Sequence, residues 1–219
     1  LGNCADRYAD EITGRPGAGG PRCSCAGGGV QEVIDWRVLV PIKQGNDGKS
    51  RLGSMMGGDA RSDLAERMAA HVLGVLQACF DLSQITILSP RRPDDWEGGW
   101  TRDEARGLNA ELTAWRDVQE NQAILIIHAD LPLLSVEDVQ AIVDAAGNGA
   151  AIATDRAGQG TNALAIADGR LLTFLFGADS RALHCQQYPQ MPVLRREGLM
   201  ADLDTPDDAK FVRDRGFVV

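Results

Sequence analysis

The run Val38-Leu39-Val40-Pro41-Ile42-Lys43 reads as a short buried strand that opens into a glycine-punctuated loop carrying Lys49 and Arg51. Lys43, Lys49 and Arg51 are expected to converge on an anion, joined by backbone N–H groups of the loop. Asp130 stands three residues beyond the most apolar run of the chain, Ala123 to Ile127. A lone buried carboxylate would cost several kcal/mol there, so this one predicts a partner. Asp202-Leu203-Asp204-Thr205-Pro206 offers two acidic side chains, and alternation places them on one face of an extended segment. One can hold a metal while the other caps the final helix. A strand-terminal aspartate beside a phosphate-reading loop is a usual position for a magnesium ligand. The chemistry such a set supports is transfer at phosphorus, driven by positioning and charge neutralisation. No Ser-His-Asp or Cys-His set suggests itself among the three histidines. His71 reads as structural, whereas His128 and His184 lie near the expected sites and are candidates for ligand contact.

Gly48-Lys49-Ser50 imitates the end of a Walker phosphate loop. That motif requires a glycine at position 43, where this chain has Lys, and Leu52 to Gly58 is too rich in glycine and methionine to continue as helix. A kinase or ATPase is disfavoured on both counts.

The elements that would position these groups follow from periodicity. The first strand is Arg37 to Ile42, and Leu64, Met68, Val72, Val75, Leu76 and Cys79 recur at helical spacing through a helix from about Asp63 to Phe80. Strands are predicted at Gln84 to Ser89, Ala123 to Ile127, Ala150 to Thr154 and Asn162 to Ile166, with an irregular loop over Pro90 to Arg102. Helices are predicted from Asn109 to Val118, after a Ser135/Asp138 capping box, from Ser180 to Gln186, and from Pro206 with Asp204 or Thr205 as cap. Met191 to Arg195 and Leu199 to Leu203 read as extended. Alternating strands and helices imply an α/β fold with a mainly parallel sheet and ligands at the carboxyl ends of its strands.

The chain has 219 residues, 44% of them hydrophobic, enough for one domain with a full core. Residues 1–35 are glycine- and cysteine-rich without apolar periodicity, and read as an extension, disordered or draped on the surface of a domain spanning 36–219. A net charge of −9 argues against nucleic acid or anionic membrane as partner and leaves a small anionic ligand drawn to a local basic loop. With no long apolar run and no signal peptide, a cytoplasmic location is expected. Five irregularly spaced cysteines are not a disulfide framework; Cys79 is expected in the core, and Cys23-Ser24-Cys25 is a poor zinc motif.

Strand-Pro-Ile-Lys, Lys-Ser-Arg-Leu, Gly-Leu-Asn-Ala, Ala-Asp-Leu-Pro, Gly-x-Gly-Thr-Asn-Ala-Leu, Phe-Gly-x-x-Ser and Asp-Leu-Asp-Thr-Pro occur here in that order. This series resembles the guanylyltransferases of deazaflavin coenzyme (F-420) biosynthesis. The resemblance implies a single-domain, Rossmann-like (GT-A-like) nucleotidyltransferase fold and Mg2+ as cofactor. It implies as substrates GTP and a small phosphorylated carboxylic acid: 2-phospho-L-lactate, phosphoenolpyruvate or 3-phosphoglycerate. It puts Lys43, Lys49 and Arg51 on the GTP phosphates, with Lys49, Arg51 and Asp130 catalytic, and Gly107-Leu108-Asn109 beside the base, so that Leu108 and Asn109 join the nucleotide-binding set. Asp130 and Asp202 match metal carboxylates; Thr161, Gly177 and Ser180 match the positions that hold the acceptor's carboxylate. Gln159 and Ala178 depart from the commoner threonine and proline of the family. By the same analogy a downstream transferase would take the labile product. The alternatives are a nucleotidyltransferase of this fold acting on a sugar phosphate or a molybdopterin, and a non-catalytic nucleotide-binding module.

Overall fold

The computed structural model describes residues 34–43, 52–53, 55–119 and 121–219. The loop bearing Lys49 and Arg51 lies outside the described residues, as do Cys23, Cys25 and the extension up to residue 33.

Among the described residues, seven strands form one mixed sheet. Strand β1 (Trp36–Pro41) pairs in parallel with β2 (Ile85–Ser89) on one side and with β4 (Ala123–Ile127) on the other. Beyond β2 lies β3 (Gly99–Arg102), also parallel. Beyond β4 come β6 (Thr161–Ile166), antiparallel to both neighbours, then β5 (Ala150–Thr154) and β7 (Val193–Leu194), giving the order β3-β2-β1-β4-β6-β5-β7. The central strands β4, β5 and β6 are buried at every position, which is why β4 reads as an unbroken apolar run and β5 and β6 are apolar except for Thr154, Thr161 and Asn162 at one end. From β1 the chain steps to β2 on one side and later returns to β4 on the other. The strand order reverses between β1 and β4, and the crevice outside their carboxyl ends is where a sheet of this kind takes its ligand.

Alternation divides the core between the two faces of the sheet. Val38, Val40, Leu125 and Ile127 pack with Val72 and Leu76 of helix α1 (Gly58–Cys79) and with Val139 and Ile142 of α3 (Val136–Ala146). Leu39, Ile124 and Ile126 face Leu112 and Trp115 of α2 (Leu108–Asp117) and Cys185 of α4 (Ser180–Gln187). The start of α1 packs separately, through Leu64 and Met68, on Ala209 and Val212 of the last helix, α6 (Pro206–Arg213). Cys79 is only half-buried at the edge of the first cluster, and burial pushes its thiol up.

Four local expectations change. Helix α1 begins at Gly58, before its apolar stripe, because its first turn is Gly-Asp-Ala-Arg and carries no periodic signal. Part of the expected loop over 90–102 is strand β3, where a Cβ on Gly99 would lie 2.5 Å from Thr86 Oγ1; the glycine that hides the strand from a propensity reading permits its close pairing. Glu197–Met200 forms a short helix, α5, which takes in the first two residues of the Leu199 to Leu203 stretch expected to be extended, its turn closed by Leu199 N–H to Arg196 O at 3.1 Å. The cap of α6 is Thr205, not Asp204: the Thr205 hydroxyl accepts from Asp208 N–H, and Asp208 Oδ2 accepts from Thr205 N–H at 2.9 Å. Thr205→Ala should therefore lower stability by about 1 kcal/mol in urea denaturation, whereas Asp204→Ala should leave that cap intact.

Candidate active site

The two expected metal carboxylates come together at the carboxyl end of β4. Leu203 N–H donates to Asp130 O at 3.1 Å, which lays the 201–204 segment along the strand end and brings Asp202 to the Asp130 side. Asn162, at the second position of β6, is buried; its amide donates to Asp202 Oδ1 at 3.2 Å and to Leu199 O at 3.0 Å. His128 N–H continues the β4–β6 ladder to Asn162 O at 3.0 Å, so the two loop segments that carry the carboxylates are tied to the end of the sheet. Burial, and then the Asp130 charge, push Asp202 up to about 6 against the single opposing hydrogen bond from Asn162.

Two half-buried carboxylates brought to one place, with the charge of Asp130 opposing ionisation of Asp202, are a donor set that a divalent cation would relieve. Among the described residues no group of three or more His, Cys, Asp or Glu side chains gathers as a metal site. A two-carboxylate set fits magnesium better than zinc, because magnesium keeps waters and substrate phosphates in its shell.

On the opposite face of β6, Thr161 is buried against helix α4. Its hydroxyl meets His184 Nδ1 at 3.1 Å, and His184 Nε2 accepts Leu175 N–H at 3.0 Å. Burial lowers the His184 pKa to about 4, so the ring is neutral at pH 7. Accepting at Nε2 then fixes the proton on Nδ1 as donor to Thr161. Both ring nitrogens are thus engaged inside the protein, and His184 is not presented to ligand. His71 is likewise structural, its Nε2 lying 2.9 Å from Leu134 O.

Gly177 has φ +127°, a conformation that favours glycine, and open space where a Cβ would stand. Ser180 follows at the first turn of α4, with the Ser180 N–H donating to Gly177 O at 3.2 Å and the Arg181 N–H to Gln159 O at 3.0 Å. Two of the N–H groups at this helix start are therefore used internally, and the Ser180 side chain is buried, so it is the Gly177 backbone that stands open here. The departures Gln159 and Ala178 are both exposed.

Lys43 is exposed, two residues past the end of β1. Leu108 and Asn109 open α2 behind Gly107, which takes φ +94°. The approach to that helix is built by Glu111, which is 2% exposed and went unnoticed in the sequence. Its Oε1 accepts from Glu104 N–H and Arg106 N–H, both at 3.0 Å, and its Oε2 from Arg106 Nη2 at 2.7 Å. The hydrogen bond from the Arg106 guanidinium holds the Glu111 carboxyl below the usual carboxylate range. Asn109 turns inward: its Oδ1 accepts Phe176 N–H at 2.8 Å and its Nδ2 donates to Phe176 O at 3.1 Å.

A seven-stranded α/β sheet with paired carboxylates at its switch point is the architecture of a nucleotidyltransferase. Solved structures agree on the fold. A nucleotidyl transferase from Methanothermobacter superposes with a TM-score of 0.56 at 15% identity, over 82% of this chain and 96% of that one. The 2-C-methyl-D-erythritol 4-phosphate cytidylyltransferase of Thermus thermophilus gives 0.53 at 17% identity, over 84% and 100%. Residues 36–194 match the family model described as "Guanylyl transferase CofC like", and the chain belongs to that family. The phosphoenolpyruvate guanylyltransferase of Rubrobacter xylanophilus is 34% identical over 185 residues, 78% of this chain and 90% of that protein. The enzyme of the same name from Sphaerobacter thermophilus is 33% identical over 185 residues, 78% and 89%. The protein is thus an enzyme of the guanylyltransferase class.

Proposed function

We propose that the protein transfers GMP from GTP to the phosphate of a phosphorylated three-carbon acid in coenzyme F-420 biosynthesis, releasing pyrophosphate. Phosphoenolpyruvate leads 2-phospho-L-lactate and 3-phosphoglycerate as acceptor, since the similar enzymes of Rubrobacter and Sphaerobacter are named for it. The observation that carries the reading is the Asp130–Asp202 pair at the carboxyl end of β4, held by Leu203 N–H to Asp130 O and by the Asn162 amide to Asp202 Oδ1.

In the reaction, an oxygen of the acceptor phosphate forms a bond to the α-phosphorus of GTP. The bond from that phosphorus to the α–β bridging oxygen breaks, and its electron pair leaves with pyrophosphate. The nucleophile is already ionised at neutral pH, so no side chain has to remove a proton. This accords with His71 and His184 being tied into the protein. Lys43, Lys49 and Arg51 hold the triphosphate, Leu108 borders the base, and Thr161, Gly177 and Ser180 hold the acceptor carboxylate. Asp130 and Asp202 would hold magnesium, which when bound neutralises charge on the phosphate oxygens. A downstream transferase would collect the labile product.

The acceptor end is tested by Ser180→Ala. A hydrogen bond to a charged group contributes roughly 1.5–3 kcal/mol. The variant should therefore raise the KM for phosphoenolpyruvate about tenfold or more and leave the KM for GTP near its original value. Equal binding of phosphorylated alcohols that lack a carboxylate would overturn the cradle.

A further inference from the structure

The nucleotide end and the acceptor end are joined by a three-residue strap, Leu175-Phe176-Gly177, whose backbone is held by side chains from two different helices. Asn109 of α2 pairs amide to peptide with Phe176 at 2.8 and 3.1 Å, across 67 residues of sequence. His184 of α4 takes Leu175 N–H at 3.0 Å. The Phe176 ring is buried between two imidazoles, its centroid 5.5 Å from that of His128 and 5.0 Å from that of His184. His128 lies two residues before Asp130 on the same strand end. The next residue of the strap is Gly177, with its open face and φ of +127°. Asn109 spends its oxygen and its amino group on Phe176, so in this arrangement it reads peptide rather than base.

We propose that Asn109 is a positioning residue for the acceptor: its amide–peptide pair with Phe176 carries the ordering of the α2 start by nucleotide to Gly177 and so sets the acceptor's carboxylate cradle. This rests on taking residues 107–109 as the nucleotide side and 177–180 as the acceptor side. Because coupling between sites is reciprocal, each ligand tightens the other.

Three measurements on the full chain test it, using an α,β-methylene analogue of GTP that cannot be cleaved at the reacting bridge. In the wild-type protein, the analogue should tighten phosphoenolpyruvate binding about fivefold or more in calorimetry. It should also slow hydrogen exchange of the Phe176 and Gly177 amides, and this protection should be lost in Asn109→Ala. Asn109→Ala should raise the KM for phosphoenolpyruvate about tenfold, while the Kd of the analogue measured without phosphoenolpyruvate, where the reciprocal coupling does not enter, changes by less than about threefold. Asn109→Asp keeps the acceptor for Phe176 N–H but sets an oxygen against Phe176 O, so it should be no better than alanine. Unchanged phosphoenolpyruvate affinity in the presence of the analogue, unaltered exchange at 176–177, or a larger effect on GTP than on phosphoenolpyruvate would each overturn the inference alone. Failure of the wild-type protein to bind the analogue would overturn the guanylyl-transfer reading and the inference with it.

Discussion

Asp202→Asn should abolish turnover and, in metal-free protein at pH 7, raise stability. The two effects have one cause. Asp202 sits at about 6 in the folded protein against an ordinary value of 3.8, because burial and the Asp130 charge disfavour its ionised form. Between those values the folded chain holds a proton that the unfolded chain has released. Stability from this group is therefore full below about pH 3.8 and is lost as pH rises to about 6. Above that, the ionised carboxylate opposes the fold, and the neutral amide should recover on the order of 1–2 kcal/mol. The amide oxygen can still accept from Asn162, so the local geometry has reason to persist. Activity is a different matter. Electrostatic stabilisation by a catalytic metal is worth several kcal/mol, so loss of either ligand should slow turnover by about a thousandfold. Asp130→Asn should match it. Urea denaturation in a chelator at pH 7 and near pH 4, set beside steady-state rates with magnesium, reads both effects. Mild and equal rate losses in both variants, or a stability gain that does not fade toward pH 4, would contradict the metal assignment.

Gly198→Ala should be strongly destabilising although it lies away from the reacting groups. A Cβ at Gly198 would overlap the Asp138 carboxylate and stand 2.5 Å from Leu133 O. Asp138 cannot retreat: its Oδ2 closes the capping box of α3 on Ser135, and its Oδ1 accepts from Arg196 Nε at 2.6 Å. Overpacking together with a strained charge-assisted bond should lower stability by about 2–4 kcal/mol. For a domain of this size that corresponds to a fall in Tm of about 5–10 °C. The next residue, Leu199, supplies the carbonyl that fixes Asn162, which in turn holds Asp202. The variant should consequently also need more magnesium for half-maximal rate. A Tm within about 2 °C of the original would show that the 196–199 turn moves aside at little cost.

Much of the frame was legible because its signals are local. Strand β4 is apolar at every position since it is buried on both faces, and the Ser135/Asp138 box announced the start of α3. The carboxylates Asp130 and Asp202 were legible as charges placed where a solitary charge would be costly. The missed elements are those whose conformation is set by distant partners. Strand β3 depends on a glycine fitting against Thr86, and α5 on the turn between Arg196 and Met200 that the Asp138 contact anchors. The same holds within the site. Asn162, Glu111, Phe176 and His184 act through contacts that no periodicity encodes, Asn162 to Asp202 across 40 residues and Asn109 to Phe176 across 67. A polar residue inside an otherwise apolar strand, as Asn162 is in Thr161–Ile166, was the one available hint. Asp204 and Thr205 are both good capping residues, and only the geometry of Asp208 decides for Thr205.

The central claim, guanylyl transfer to the phosphate of a three-carbon acid, is tested most directly by product analysis with purified protein and magnesium. GTP or CTP would be offered with phosphoenolpyruvate, 2-phospho-L-lactate, 3-phosphoglycerate or a phosphorylated alcohol, with Asp130→Asn as the blank. Phosphorus NMR should show pyrophosphate and a new phosphoanhydride linking guanylate to the acid, with GTP preferred over CTP and phosphoenolpyruvate leading the acids. Pyrophosphate release with a sugar phosphate or phosphorylated alcohol but with none of the three acids would contradict the account.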